Sequence, residues 1–355
     1  MALDSQSTTD TVNPTVPHPA VRDSNPDQTL VHIYAAMFFI VNPSVAGAGL
    51  LTNSLGLLVL VRSGMRRTSN IFLLGLTLAD SMFLLGGVAP TGFLQYTFNA
   101  RLTYAYIGWR YPYPIAYSIH IIHSVFTTVT NLGLYTSTTL PAVISVERCF
   151  AIFLPLKFKQ IMTTNKAIFI IILVFIAWLP WILFWQSCLD FFYYPLGGNK
   201  FTGVQQLSPY CTSNYNIVHV FDDYVLNYLS SVFLVTIIVV GSLLVSVKIR
   251  LTHATRKKLS SRKSTHPPRT TRTTRTLLAV SLIFSITNFI YFVVVSVMSE
   301  QMEENSQLNL AVNACLRCLN YLSSSSNFYV YIFLNKNFKS IFIALFRVEN
   351  GRYYI

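Results

Sequence analysis

Residues 166–188 read KAIFIIILVFIAWLPWILFWQSC, and from Ala167 to Cys188 no side chain carries a charge. A helix needs about 20 mostly apolar residues to cross the hydrocarbon of a bilayer, and this stretch has that length. Apolar blocks of similar size recur along the chain, separated by short polar breaks. They give spans at 32–62, 69–97, 117–151, 166–188, 222–251, 270–298 and 306–334. Several exceed the minimum, which implies tilt or extension past the lipid. Composition agrees: of 355 residues, 52% are hydrophobic and 11% charged, whereas soluble domains need about 25% charged residues to cover a water-facing surface. The sequence predicts an all-α membrane protein, a seven-transmembrane-helix bundle, rather than the roughly two soluble domains that length alone suggests.

The net charge of +13 is concentrated in clusters such as Arg256-Lys257-Lys258 and Arg262-Lys263. Such clusters attract phosphate, but here they lie between apolar spans, where basic residues mark the cytoplasmic face. The reading is membrane, with no nucleic-acid partner. Breaks after the first, third and fifth spans hold Arg62, Arg66, Arg67, Lys157, Lys159, Lys166 and the run from Lys248 to Arg275. The alternate breaks hold Arg101, Arg110 and Lys200 beside Asp190, Asp222, Asp223, Glu300, Glu303 and Glu304. This asymmetry predicts an extracellular N-terminus and a cytoplasmic C-terminus in the plasma membrane. Residues 1–31 read as a disordered extracellular tail with no apolar run of signal-peptide type; Pro14 rules out Asn13 as a glycosylation acceptor. Residues 32–347 form the seven-helix domain and 348–355 a short cytoplasmic tail. Within the domain, Asn335 to Arg347 sets Phe338, Ile341, Phe342, Leu345 and Phe346 against Lys336, Lys339 and Arg347. That pattern predicts a short amphipathic eighth helix in the membrane interface. The alternative is a continuation of the seventh span, against which stands the polar break Asn335-Lys336-Asn337.

Polar groups inside spans are costly and face the bundle interior. Asp80 stands in an otherwise apolar second span, with Asn53, Ser137, Ser323, Ser324 and Asn327 as polar residues able to face it. An oxygen-ringed carboxylate suits a small hard cation such as sodium; equally, a neutral Asp80 can simply join helices by hydrogen bonds. Glu147 and Arg148 end the third span. Adjacent helix residues do not face each other, so each is expected to reach a different neighbour, or Arg148 snorkels to the interface. Arg317 falls about 11 residues into the seventh span, roughly 16 Å along its axis. Either it pairs with Asp222 or Asp223, or it offers its guanidinium to an anionic ligand group. Cys188 and Cys211 bracket the loop between the fourth and fifth spans and can close it in an oxidising compartment. Cys315 and Cys318 read as packing residues, since no His or carboxylate cluster completes a metal site.

From 32 to 347 the chain resembles a rhodopsin-like (class A) G-protein-coupled receptor. Asn53 in Leu51-Thr52-Asn53-Ser54-Leu55-Gly56 resembles the first-helix Asn, and Leu76-Thr77-Leu78-Ala79-Asp80 the second-helix motif. Glu147-Arg148-Cys149 with Pro155-Leu156 resembles the Asp/Glu-Arg-Tyr motif and its loop. Trp178 fits the fourth-helix Trp, and Asn327-Phe328-Tyr329-Val330-Tyr331 resembles Asn-Pro-x-x-Tyr. The wording around Glu147 to Lys159 and Ser323 to Phe338 is similar to invertebrate FMRFamide-peptide and molluscan chemosensory receptors.

The resemblance implies a switch built from Glu147, Arg148, Asn327 and Tyr331, through which a heterotrimeric G protein is engaged. It implies a sodium pocket at Asp80, Asn53, Ser137, Ser323 and Ser324, and no other cofactor. Ligand is expected in the outer half, at Arg317, Tyr291, Tyr321 and Tyr117, among aromatic residues that include Phe292. No Lys lies in the seventh span to hold retinal and no Asp in the third to pair an amine, leaving a peptide, an amidated peptide terminus or a small anionic cue.

Departures stand beside the matches. The family's third-helix Cys is replaced by His123, so that bridge is absent and Cys188–Cys211 is the substitute. Phe284-Ser285-Ile286-Thr287-Asn288-Phe289-Ile290 lacks the Trp and Pro of Cys-Trp-x-Pro; Phe328 replaces the seventh-helix Pro; the fifth span has no Pro. Pro141 and Pro180 are the interior helix prolines this reading places. No Ser or Thr follows Ser340, so phosphorylation is expected, if anywhere, at Ser260, Ser261, Ser264 and Thr265, in what otherwise reads as a solvated linker. A transporter is disfavoured because no repeat appears, a channel of inverted orientation by the basic inner loops, and an enzyme by the lack of a nucleophile–base pair. The remaining alternative, prompted by the missing Trp and Pro, is a receptor-like protein that binds ligand or partner without coupling.

Overall fold

The computed structural model describes residues 27–64, 68–89, 94, 109–197, 200–259 and 269–346. The tail to residue 26, Arg66, Arg67, Arg101, the third-loop serines and Thr265, and everything from Arg347 onward lie outside the described residues.

Seven long helices are present among the described residues: α1 (Gln28–Arg62), α2 (Thr68–Val88), α3 (Tyr113–Phe153), α4 (Thr164–Ser187), α5 (222–259), α6 (Arg269–Glu304) and α7 (Ser306–Leu334). The short α8 (Lys336–Phe346) follows. Local chemistry sets several boundaries. Asp27 caps α1 by accepting from the Thr29 N–H at 2.9 Å, and donates its own N–H to the Gln307 side chain at 2.9 Å. This cap starts α1 inside the stretch read as tail. The Asn305 side chain accepts from the Gln307 and Leu308 N–H groups at 3.0 and 3.1 Å and opens α7. At Asn335 the backbone turns extended, and its Oδ1 accepts from the Phe338 N–H at 3.3 Å, so α8 is a separate helix.

Five of the seven, α1, α2, α4, α5 and α6, contain a stretch apolar enough to cross a membrane. α3 and α7 fall short by composition because their polar residues face neighbouring helices. Trp178 of α4 donates its indole N–H to Thr139 of α3 at 2.9 Å and stacks on Tyr135. The largest buried cluster joins Val59, Phe72, Leu140, Val280, Phe328 and Phe338. Exposed apolar side chains such as Leu51, Phe169, Phe289 and Val297 face outward, where lipid is the compatible solvent. The chain is a multi-pass, all-helical membrane bundle with one small hairpin.

Gly133 sets the closest crossing: a Cβ there would collide with the backbone nitrogen of Phe83 and the carbonyl of Ala79. Pro43 corrects the proline reading, because it too lies inside a continuous helix. A π-helical turn at Met37–Val41 precedes it, and such widening accommodates a missing N–H and the ring's clash with the preceding turn. α5, without proline, opens as a π-helix over Asp222–Phe233 before becoming α-helical at Leu234.

Between α4 and α5 the chain forms an antiparallel hairpin, β1 (Leu189–Gly197) with β2 (Lys200–Leu207). Cys188 is bonded to Cys211, which ties the two ends of the hairpin together.

Candidate functional site

Two polar centres occupy opposite ends of the bundle. At the end away from the hairpin, Glu147 and Arg148 are buried where α3 meets α2, with Glu147 2% and Arg148 9% exposed. Arg148 Nη2 donates to Glu147 Oε1 at 2.7 Å, and Nε stands 2.5 Å from Oε2. Their Cβ atoms diverge, but both side chains are long enough to curl back into a pair, and burial favours pairing. Each also reaches a separate partner at the start of α2. Arg148 Nη2 donates to Ser69 Oγ at 2.6 Å, and Thr68 Oγ1 donates to Glu147 at 3.5 Å. Thr68 and Ser69 went unread in the sequence, because polar residues at a helix start read as capping groups.

Midway along the bundle, Asp80 is 1% exposed. Ser137 Oγ donates to its Oδ1 at 2.8 Å and Asn327 Nδ2 to its Oδ2 at 2.7 Å. Asn53 stands one step away, donating to the Ser324 carbonyl at 3.3 Å. A cavity of about 50 Å³ opens beside the carboxylate, lined by Asp80, Ser137, Asn288, Asn320, Ser323 and Asn327 among others. The Ser324 side chain also bears on this carboxylate; with about four acceptor positions, the carboxylate has room for a further partner. With one carboxylate and otherwise neutral oxygen donors, the set suits a monovalent hard cation or water rather than a divalent metal. Tyr331 is 1% exposed, and its hydroxyl has no hydrogen-bond partner among the described residues. Phe328 and Tyr331 pack against Phe338 of α8, with ring centroids 5.9 and 5.6 Å away. The residue standing where relatives carry proline thus joins α7 to α8.

Toward the hairpin the chemistry changes. Arg317 of α7 is exposed, yet its charge acts on His123 of α3, Tyr291 of α6 and Tyr321 of α7. A side chain whose charge reaches both α3 and α6 lies on the inner side of α7. Asp222 of α5 also acts on Tyr291, and on Tyr135; the Asp223 side chain lies outside the described residues. Of the other aromatic candidates, Tyr321 is buried against Phe83 with centroids 4.9 Å apart. Tyr117 is not beside them. It is 44% exposed and stacks on Tyr113 at 5.9 Å, beneath the hairpin. Phe292 is exposed.

His123 stands where a bridging Cys was expected, and here it belongs to an aromatic cluster that seats the hairpin on α3. Trp109 is 1% exposed and meets the rings of His120 and His123 edge-on at 5.7 and 5.5 Å. Phe191 of β1 packs on His120 at 5.1 Å, and Trp109 exchanges backbone hydrogen bonds with Gly203 of β2. This cluster was missed, although its signal is present: the aromatic run Phe191-Phe192-Tyr193-Tyr194 leading into Gly197-Gly198-Asn199 reads as a strand ending in a turn.

Seven long helices with a buried acid–arginine pair at one end and an exposed arginine on α7 toward the other have the layout of a membrane receptor. The chain belongs to the rhodopsin family of seven-transmembrane receptors: residues 52–331 match the family described as 7 transmembrane receptor (rhodopsin family). It is therefore a receptor and not an enzyme. Among individual proteins it is similar to Galanin receptor 2b of Danio rerio, 28% identical over 152 residues, or 42% of this chain. The match spans 34% of that relative, about a third of its length.

Proposed function

We propose that this receptor takes an extracellular peptide ligand into the cleft beside Arg317 and signals to a heterotrimeric G protein at the Arg148 end. The carrying observation is Arg317 itself, a guanidinium on the inner side of α7, within electrostatic reach of His123, Tyr291 and Tyr321. Such a group favours a carboxylate or the carbonyl of an amidated terminus. The basic loops set the orientation, with the N-terminus and hairpin outside and the Arg148 end in the cytoplasm. Similarity to a receptor named for galanin supports a neuropeptide over a small chemical cue. The likeness to invertebrate FMRFamide and chemosensory receptors sets which amidated peptides and anionic cues to screen. In this reading Asp80, Ser137, Ser323, Ser324 and Asn53 surround a sodium ion, while Glu147, Asn327 and Tyr331 work with Arg148 in the switch. Agonist must bind the open arrangement more tightly than the closed one, which shifts their populations.

The test is expression with a promiscuous G protein, screening amidated peptides and small carboxylates by calcium release at matched surface expression. The expected result is a response abolished in Arg148→Ala and shifted to higher concentration in Arg317→Ala. Labelled peptide that binds without any calcium response would replace this reading with a receptor that does not couple, the alternative raised by the missing Trp and Pro.

A further inference from the structure

We propose that Asn288 of α6 is a second-tier oxygen donor of the Asp80 cavity, so that a hydrated monovalent cation held there is bound from α6 as well as from α2, α3 and α7. This rests on the sodium reading above and goes beyond it by assigning a residue where the resembled motif carries Trp. Asp80, Ser137 and Asn327 form one side of the cavity, while Asn288 and Asn320 line the same space from α6 and α7. Its volume of about 50 Å³ exceeds that of one bound water, for which roughly 10–15 Å³ suffices. An ion together with some of its hydration shell therefore fits.

The orientation of Asn288 supports the assignment. Its Nδ2 donates to the Phe284 carbonyl of its own helix at 2.9 Å, so the amide nitrogen is engaged and the side-chain oxygen is the group left to accept. Oxygen acceptors are what a hard cation and its waters require. Asn320 of α7 supplies a second amide to the lining, and Phe284 and Val280 of α6 add carbon to it. A bulky indole at 288 would fill this space and offer only a donor. With Asn there, the cation and its waters become a bridge to α6.

The experiment uses the full chain, purified in detergent, with its thermal unfolding midpoint followed against NaCl and against choline chloride at equal ionic strength. The wild type is expected to gain a sodium-specific rise, and Asp80→Asn to lose it. Asn288→Leu should move the sodium midpoint up on the order of fivefold to tenfold, the effect of losing one ordinary hydrogen bond to the ion's hydration shell; Asn288→Ser should recover part of it. Asn320→Ala tests the facing wall should Asn288→Leu fail to fold, and is expected to shift in the same direction. A wild type without a sodium-specific rise overturns the cation reading at Asp80 and this proposal with it. A normal rise that Asp80→Asn abolishes but the 288 and 320 variants leave at the same midpoint overturns the α6 wall alone.

Discussion

Around Arg148 the polar atoms of α3 are matched by partners on the same helix and on α2: a two-point ion pair, a serine hydroxyl and a threonine hydroxyl. Beneath the hairpin the opposite holds. Among the described residues, Trp109 Nε1, His120 Nδ1, Ser124 Oγ and Thr202 Oγ1 are buried without a hydrogen-bond partner, and Arg317 is exposed. Buried polar groups are nearly always satisfied, and fully satisfied networks rigidify. The first region is thus built to hold one arrangement until something competes for Arg148. The second lacks such a network and presents the exposed Arg317, the group proposed above to meet a ligand. The covalent tie at Cys188–Cys211 keeps that open region in shape without filling it.

Variants that probe this contrast separate by size. The largest effect is expected at Gly133→Leu, where the new side chain meets the α2 backbone, which cannot rotate away. A loss of about 3 kcal/mol or more should abolish surface expression; near-normal expression would show that α2 and α3 can separate without cost. Next, Glu147→Gln removes the charge partner of buried Arg148, and breaking a buried pair on one side costs about 3–5 kcal/mol. Unfolding of the purified variant should move to clearly lower temperature, and an unchanged midpoint would mean the pair is not a stabilising lock. Trp178→Phe keeps the stack on Tyr135 and deletes the hydrogen bond to Thr139, for about 1 kcal/mol by the same assay. Smallest is Tyr117→Ala, at an exposed ring outside the Arg317 group: within about 0.5 kcal/mol. A large loss there would make the hairpin contact structural.

Much of this was legible in the sequence, for reasons that differ by element. Spans are set by lipid, which tolerates little besides long apolar runs, so α4 could be read directly. Asp80 announced itself as a lone carboxylate in such a run, and its partners Ser137 and Asn327 were readable as the other polar residues at depth. The break at Asn335 was visible as polar punctuation. What stayed hidden depended on side chains meeting across distant positions. Ser69 and Arg148 meet between α2 and α3, and Trp109 meets His120 and His123 only because the hairpin folds down onto α3. Pro43 escaped because a short π-helical turn absorbs it, and no composition rule signals that turn. Asn288 was noted only as a missing Trp, although an amide inside a membrane helix is itself a sign of a polar contact.

The division between a locked end and an open end is tested most directly by the thermal unfolding of purified Arg317→Ala and Arg148→Ala beside the wild type. Arg317→Ala should unfold within about 0.5 kcal/mol of the wild type, while Arg148→Ala, which leaves Glu147 buried without its partner, should lose about 3 kcal/mol or more. Equal losses in the two variants would make Arg317 part of a structural ion pair and would contradict its assignment to ligand.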